Sequence, residues 1–269
     1  MPKVSIVIPT YERAKYLERL LESVGRQTFQ DYEVIVIDDC SGDIEGYAKV
    51  VREYELKINQ LIYLRNDVNF GSPVHARNLG MNLSKGQYIA FCDDDDEWYP
   101  DKLQKQVDKF EKSSVRYGLV YTWADTIDGK TGETIFKYRG DKEGNFIREL
   151  LKKDFIPTSS VMVRKEELLA VNGMDEKMTY CCEDWDTWLR MLKNGTLCGV
   201  VREVLLRYYR WEGECFSMSP EMARGYVQFY RKHFRYALKV SPAAAFGFLK
   251  HLVSIYVRQG EAPFRSLEK

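Results

Sequence analysis

Histidine is scarce in this 269-residue chain, which has only three. The six cysteines, Cys40, Cys92, Cys181, Cys182, Cys198 and Cys215, include no CxxC pair. Together these absences argue against a zinc site, which needs four such ligands at set spacings. They also suggest reduced thiols and a cytoplasmic chain. Long hydrophobic runs are missing. The best apolar stretch, Ala243 to Val257, is broken by Lys250 and His251 and is too short to span a bilayer. Met1 to Pro9 lacks the basic segment and apolar core of a signal peptide, so none is expected. Charge of one sign is missing too: Lys+Arg and Asp+Glu are 40 each, so net charge predicts no nucleic-acid partner. No GxGxxG follows the first apolar run and no GxxxxGK[ST] occurs anywhere. A dinucleotide dehydrogenase or a P-loop enzyme is therefore disfavoured. No internal repeat or low-complexity segment is evident.

What is present fits one large soluble domain, or two intimate halves, with a sizeable core. The charge is unevenly spread. From Glu221 to the end there are nine Lys or Arg against three Glu, leaving −6 on the first 220 residues. A basic tail on an acidic body suggests a partner surface such as anionic lipid.

The chain is organised around Tyr88-Ile89-Ala90-Phe91-Cys92-Asp93-Asp94-Asp95-Asp96-Glu97-Trp98. The short apolar run predicts a buried strand over 88–92, with the carboxylates where it leaves the sheet. Five like charges repel one another, and a divalent cation would relieve that repulsion. Hard oxygen ligands suit Mg²⁺ or Mn²⁺. A solvated acidic turn is the rival reading.

Elsewhere in the first hundred residues strands alternate with helices. Strands are expected at 4–8, 33–37 and 61–64, and helices around Leu17 to Val24, at 44–54 and at 73–83. The alternation predicts an α/β fold with right-handed crossovers and a mostly parallel central sheet, binding ligands outside the carboxyl ends of its strands. Three strand ends carry suggestive groups: Thr10-Tyr11-Glu12-Arg13, Asp38-Asp39 and Asp93 to Asp96. Beyond Pro100 come a helix to about Ser113, strands at 118–123, 134–138 and 160–163, and a short helix at 146–152. Glu183-Asp184 open a helix over 185–193, where acidic residues also favour the macrodipole. Two closing strands are expected at 198–201 and 204–209, a loop at 212–219, and C-terminal helices from Pro220 to Gln259.

Four stretches together resemble the GT-A glycosyltransferases of glycosyltransferase family 2. They are Val4-Ser5-Ile6-Val7-Ile8-Pro9-Thr10-Tyr11; Val34-Ile35-Val36-Ile37-Asp38-Asp39-Cys40-Ser41; Ala76-Arg77-Asn78-Leu79-Gly80 with Gly86 to Asp96; and Gly173-Met174-Asp175-Glu176 with Glu183-Asp184-Trp185-Asp186. Each is weak alone; in order and at family-like spacing they are strong. The resemblance implies a GT-A (Rossmann-like) domain over 1–212, with a nucleotide-binding half at 1–99 and an acceptor-binding half at 100–212. A loop and C-terminal helical extension follow at 213–269.

The resemblance also implies roles. Asp39 is expected to hydrogen-bond the nucleotide base, with Pro9 and Tyr11 lining that site; a carboxylate there suits the imide N–H of uracil or thymine and also guanine. Asp93-Asp94-Asp95 matches the DxD motif, with Asp95 the expected metal ligand and Asp93 or Asp94 nearer the ribose and the metal's waters. Arg77 is expected near the diphosphate, or else in an ion pair with a neighbouring carboxylate. Asp184 is expected to be the catalytic base of an inverting displacement, although its neighbour Glu183 is a rival. Trp185 and Trp188 are acceptor platforms or core, Trp188 preferably core.

The implied activity is transfer of a sugar from a nucleotide-diphospho-sugar, UDP-linked by preference, to a saccharide or lipid-linked saccharide acceptor in bacterial surface polysaccharide or glycolipid synthesis. The rivals are a sugar-nucleotide nucleotidyltransferase and a non-catalytic carbohydrate-binding scaffold. Departures from the family pattern are Cys40, Cys92 and the absence of histidine from Tyr209-Arg210-Trp211-Glu212-Gly213. Position 207 is Arg where processive members carry Gln, so processive synthesis is not expected. The basic C-terminal helices are expected either to rest on the inner face of the membrane or to mediate a homodimer.

Overall fold

The computed structural model describes residues 1–211 and 219–260. Among the described residues nine strands form one sheet, in the order β3 (Leu61–Arg65), β2 (Tyr32–Asp38), β1 (Val4–Thr10), β4 (Tyr88–Phe91), β8 (Met162–Arg164), β6 (Leu119–Asp128), β9 (Cys198–Arg210), β5 (Glu97–Trp98), with β7 (Thr134–Tyr138) paired to β6. The first four are β1 (Val4–Thr10), β2 (Tyr32–Asp38), β3 (Leu61–Arg65) and β4 (Tyr88–Phe91), and they are mutually parallel. They are joined by α1 (Ala14–Gly25), α2 (Ile44–Glu55) and α3 (Pro73–Leu83). Strand order reverses between β1 and β4, the switch point at which such sheets open a crevice.

Local sequence explains these elements. Every residue of β1 and β2 is buried, as a strand covered on both faces requires. In α1, Leu17, Leu20, Leu21 and Val24 form the single buried stripe expected from their spacing. Helix α3 starts where the Ser72 hydroxyl accepts from the Val74 amide and Pro73 takes the first turn. Its Gly80 lies against β1: a Cβ there would fall 2.4 Å from Val7 Cγ1, so only glycine permits this approach.

The second half of the sheet is mixed. It contains β5 (Glu97–Trp98), β6 (Leu119–Asp128), β7 (Thr134–Tyr138), β8 (Met162–Arg164) and β9 (Cys198–Arg210). Helices α4 (Lys102–Lys112), α5 (Ile147–Leu150), α6 (Lys165–Leu169) and α7 (Glu183–Lys193) surround it. Several boundaries differ from expectation. The two closing strands are one, because β9 runs unbroken past β6 and absorbs its exposed Arg202-Glu203 pair where the register shifts. The short helix at 146–152 shrinks to a single turn. The strand expected at 118–123 extends to Asp128, as its paired neighbours β7 and β9 satisfy the extra backbone groups. The strand at 160–163 begins only at Met162, after a 3₁₀ turn at Thr158–Ser160. Most of the loop expected at 212–219 lies outside the described residues, as does Cys215.

Two large apolar clusters occupy opposite faces of the sheet. One gathers Ile6, Ile8 and the α1 stripe. The other gathers Val7, Ile89, Phe91 and fully buried Trp188, which is core as expected. Helices α8 (Pro220–Val240) and α9 (Pro242–Gln259) complete the second cluster rather than trailing from it. Phe229 stacks on Trp185 with ring centroids 4.0 Å apart. Beside them the fully buried Asp186 is met by Arg190 Nε at 2.7 Å, Lys232 Nζ at 2.7 Å and His233 Nε2 at 2.8 Å. Lys232 and His233 belong to α8, so this carboxylate fastens α8 to α7.

These partners hold the Asp186 carboxyl well below its ordinary range, its hydrogen bond to His233 being the foremost favourable contact against the cost of burial. A depressed pKa contributes stability that is present above the unfolded value and is lost as pH falls below about 4. We expect D186N to cost about 3 kcal/mol in urea unfolding at neutral pH. The variant should also lose less stability than the wild type on acidification from pH 5 to pH 3. An equal acid dependence would contradict the fastening role.

Candidate active site

At the carboxyl ends of β1, β2 and β4 the structure opens a cavity of about 740 Å³. Pro9, Tyr11, Asp39, Arg77, Asp93, Asp94, Asp95 and Asp184 all line it. Residues named from four separate stretches of sequence thus converge on one space.

Pro9 is the penultimate residue of β1, and Tyr11, just beyond the strand, is half-exposed at 47%. Asp39 follows β2 and is buried. Its oxygens accept from the Asn66 amide side chain at 3.0 Å and from the Phe70 and Gly71 backbone amides at 3.0 and 3.1 Å. The carboxylate therefore shapes the loop after β3 as well as facing the cavity.

The four aspartates divide by exposure. The Asp93 and Asp95 side chains are 28% and 17% exposed, whereas Asp94 is at 6% and Asp96 at zero. Asp94 turns back to β1, accepting from Thr10 Oγ1 at 2.6 Å, with Arg13 3.4 Å away. Burial, with the charge of Asp95, pushes its carboxyl up to about 7. Asp96 turns inward and accepts from the Tyr209 amide at 3.0 Å; burial pushes its carboxyl well above the ordinary range. Arg13 also reaches Asp95 at 3.0 Å.

Arg77 is buried and bridges two carboxylates, Asp93 at 2.5 Å and Glu183 at 2.7 Å. Its Nε–H is buried without a protein partner. Glu183 is thereby committed to the arginine, although burial first and Asp184 second push its carboxyl up. Cys182 adopts a left-handed conformation, φ 64°, immediately before α7 and turns the chain into the helix. Asp184 then lies in the first turn, its Oδ2 accepting from Thr158 Oγ1 at 2.6 Å and its Oδ1 from the Trp185 amide at 2.7 Å.

Two neighbours of Asp184 carried no sequence signal. Thr158 belongs to the 3₁₀ turn, and the half-buried Asp154 lines the same wall. Burial and the adjacent Asp184 charge push the Asp154 carboxyl well up. Arg13, by contrast, lay in plain view in the group at the end of the first strand.

The donor set can be tested against the expected cation. No group of three or more His, Cys, Asp or Glu side chains arranged to hold a metal occurs among the described residues. Of the acidic run, Asp93 and Asp95 are the two more exposed carboxylates, and burial makes their neighbours Asp94 and Asp96 resist ionisation. Two hard oxygen donors fit an ion that takes its remaining ligands from water and a diphosphate, the habit of Mg²⁺.

A family model described as Glycosyl transferase family 2 matches residues 5–169. The chain belongs to glycosyltransferase family 2. It is a glycosyltransferase with the GT-A fold, which sets aside the nucleotidyltransferase and scaffold readings. An uncharacterised glycosyltransferase of Methanocaldococcus jannaschii is 30% identical over 209 residues, 77% of this chain and 70% of that protein. The amylovoran biosynthesis glycosyltransferase AmsB of Erwinia amylovora is 28% identical over 213 residues, 76% of this chain and 69% of that one. Among solved structures, TarS of S. aureus in complex with UDP-GlcNAc superposes with a TM-score of 0.70 at 20% identity, covering 99% of this chain and 76% of that one. The mannosyltransferase PcManGT of Pyrobaculum calidifontis, in complex with GDP-Man and Mn²⁺, gives 0.63 at 18% identity, covering 99% and 78%. The family match stops short of Glu183-Asp184, so the roles of those two rest on geometry.

Replacing Arg77 by Gln would leave Asp93 and Glu183 buried without their cation. We expect R77Q to lose about 3 kcal/mol of stability, with R77K recovering only part because an ammonium cannot reach two carboxylates as a fork does. Chemical denaturation of the three proteins checks this; equal stability of R77Q and wild type would contradict the bridge.

Proposed function

We propose that this glycosyltransferase moves a sugar from a nucleotide-diphospho-sugar, UDP-linked by preference, to a saccharide hydroxyl by a single inverting displacement. The observation that supports this best is the meeting of Asp39, the Asp93–Asp95 pair and Asp184 in one cavity. We assign 1–99 to the donor and 100–212 to the acceptor, with the cavity between them.

Pro9 and Tyr11 offer an apolar wall and an exposed ring to the base, and Asp39 offers its carboxylate to an imide N–H. Asp93 and Asp95 would hold Mg²⁺ or Mn²⁺; when bound, the ion supplies Lewis-acid neutralisation of charge on the departing diphosphate. Manganese in the PcManGT complex supports that choice. The buried, unpartnered Nε–H of Arg77 suits the diphosphate side of the cavity.

A sugar hydroxyl is a weak nucleophile, so a carboxylate must accept its proton as it attacks the anomeric carbon. Asp184 is the assigned base. Thr158 and the Trp185 amide hold its carboxylate in place, while Glu183, on the same turn, is occupied by Arg77. The nucleoside diphosphate leaves from the face opposite the attack, which inverts the anomeric configuration. The AmsB likeness supports a role in surface-polysaccharide assembly, with a free or lipid-linked saccharide as acceptor.

We expect D184N to lower kcat by about 10²–10⁴-fold while leaving UDP binding within experimental error of wild type. NMR of the wild-type product should report the anomer opposite to that of the donor. Wild-type turnover in D184N would remove the base assignment, and retention would remove the single displacement.

A further inference from the structure

Helix α9 is apolar on two opposite faces. One face packs on α8: Phe248 stacks on Tyr230 with ring centroids 4.3 Å apart, and His251 Nδ1 lies 2.6 Å from the Tyr230 hydroxyl. Ala244, Ala245 and Ile255 are buried on that side. The opposite face carries Phe246, Leu249, Val253, Tyr256 and Val257, which are 59%, 47%, 63%, 51% and 77% exposed. At 100° per residue these five fall within one arc of the helix. Helices covered by protein on one side ordinarily turn polar residues outward, and a continuous exposed apolar stripe marks a contact surface.

Charge selects the occupant. Lys250 flanks the stripe and Arg258 lies further round the helix near its C-terminus, and both are exposed. Arg231, Arg235 and Lys239 are exposed on α8. Residues 220–260 carry seven Lys or Arg against one Glu. A second copy paired through the stripe would set Lys250 and Arg258 against like charges. An anionic lipid surface instead answers both the charge and the apolar stripe.

We propose that α9 lies in the headgroup region of an anionic membrane, its outer face buried among acyl chains and its basic residues at the phosphates. The α8–α9 pair is fixed to the body through Asp186, and Met222 and Tyr226 of α8 line the active cavity. Docking through α9 therefore holds the cavity beside the lipid surface, where a lipid-linked acceptor would be met. Lipid binding is measured without donor or acceptor, so its failure is distinct from failure of the catalytic reading.

The test is flotation of the full chain with vesicles of phosphatidylcholine alone and of phosphatidylcholine with phosphatidylglycerol, together with its mass in solution. Expected is flotation with the phosphatidylglycerol vesicles only, weakened by high salt. V253E/V257E, both at exposed positions, should bind at least about tenfold more weakly with an unchanged melting temperature. No flotation of the wild type, or flotation of the variant equal to it, overturns the proposal. So does a wild-type dimer that V253E/V257E converts to monomer.

Discussion

One guanidinium held between two carboxylates sets the geometry of the end of the sheet where the cavity opens. Arg77 comes from α3, Asp93 from the turn after β4 and Glu183 from the first turn of α7. The bridge ties the parallel first half of the sheet to the helix that carries Asp184. A salt bridge this buried is no simple source of stability, since desolvation offsets much of its attraction. Its consequence is positional: with Glu183 occupied, Asp184 is the carboxylate of that turn left to the cavity.

The same logic explains how four consecutive aspartates coexist. Two are partly exposed, with Arg13 and Arg77 as counter-charges, and two, Asp94 at the cavity wall and Asp96 inside, are buried and driven toward their neutral forms. Alternation along the turn does the sorting, as it sends Asp93 and Asp95 one way and Asp94 and Asp96 the other. Asp94 borders the same cavity as Asp93 and Asp95. Its bond to Thr10 also makes it a tie between the turn after β4 and the end of β1.

Much of this was legible in the chain itself. The first three helices and four strands were readable because each is a local pattern: a both-faces-buried apolar run, a 3.6-residue stripe, a Ser-Pro start. The second half was less so. β5 has two residues, β9 reads as two runs because its exposed Arg202-Glu203 interrupts the apolar pattern, and β8 exists only because β4 and β6 flank it. Long-range pairing decides such strands, and local propensity does not. At the site, Asp38-Asp39 and the Asp93 to Asp96 run stood at strand ends, whereas Asp39, Asp95 and Asp184 were singled out individually by the family resemblance. An ion pair was one of the two readings of Arg77, but its partner Glu183 lies 106 positions away and no local pattern names it. Thr158 and Asp154 lie in irregular backbone, where no periodicity points.

On the proposed function, the cavity between Asp39 and Asp95 binds a nucleoside diphosphate together with a divalent cation. Calorimetric titration of UDP in the presence and absence of Mn²⁺, on the wild type, D39N and D95N, tests it most directly. Expected is binding by the wild type only with Mn²⁺, and loss of that binding in both variants. Equal binding with and without the ion, or by either variant, would contradict it.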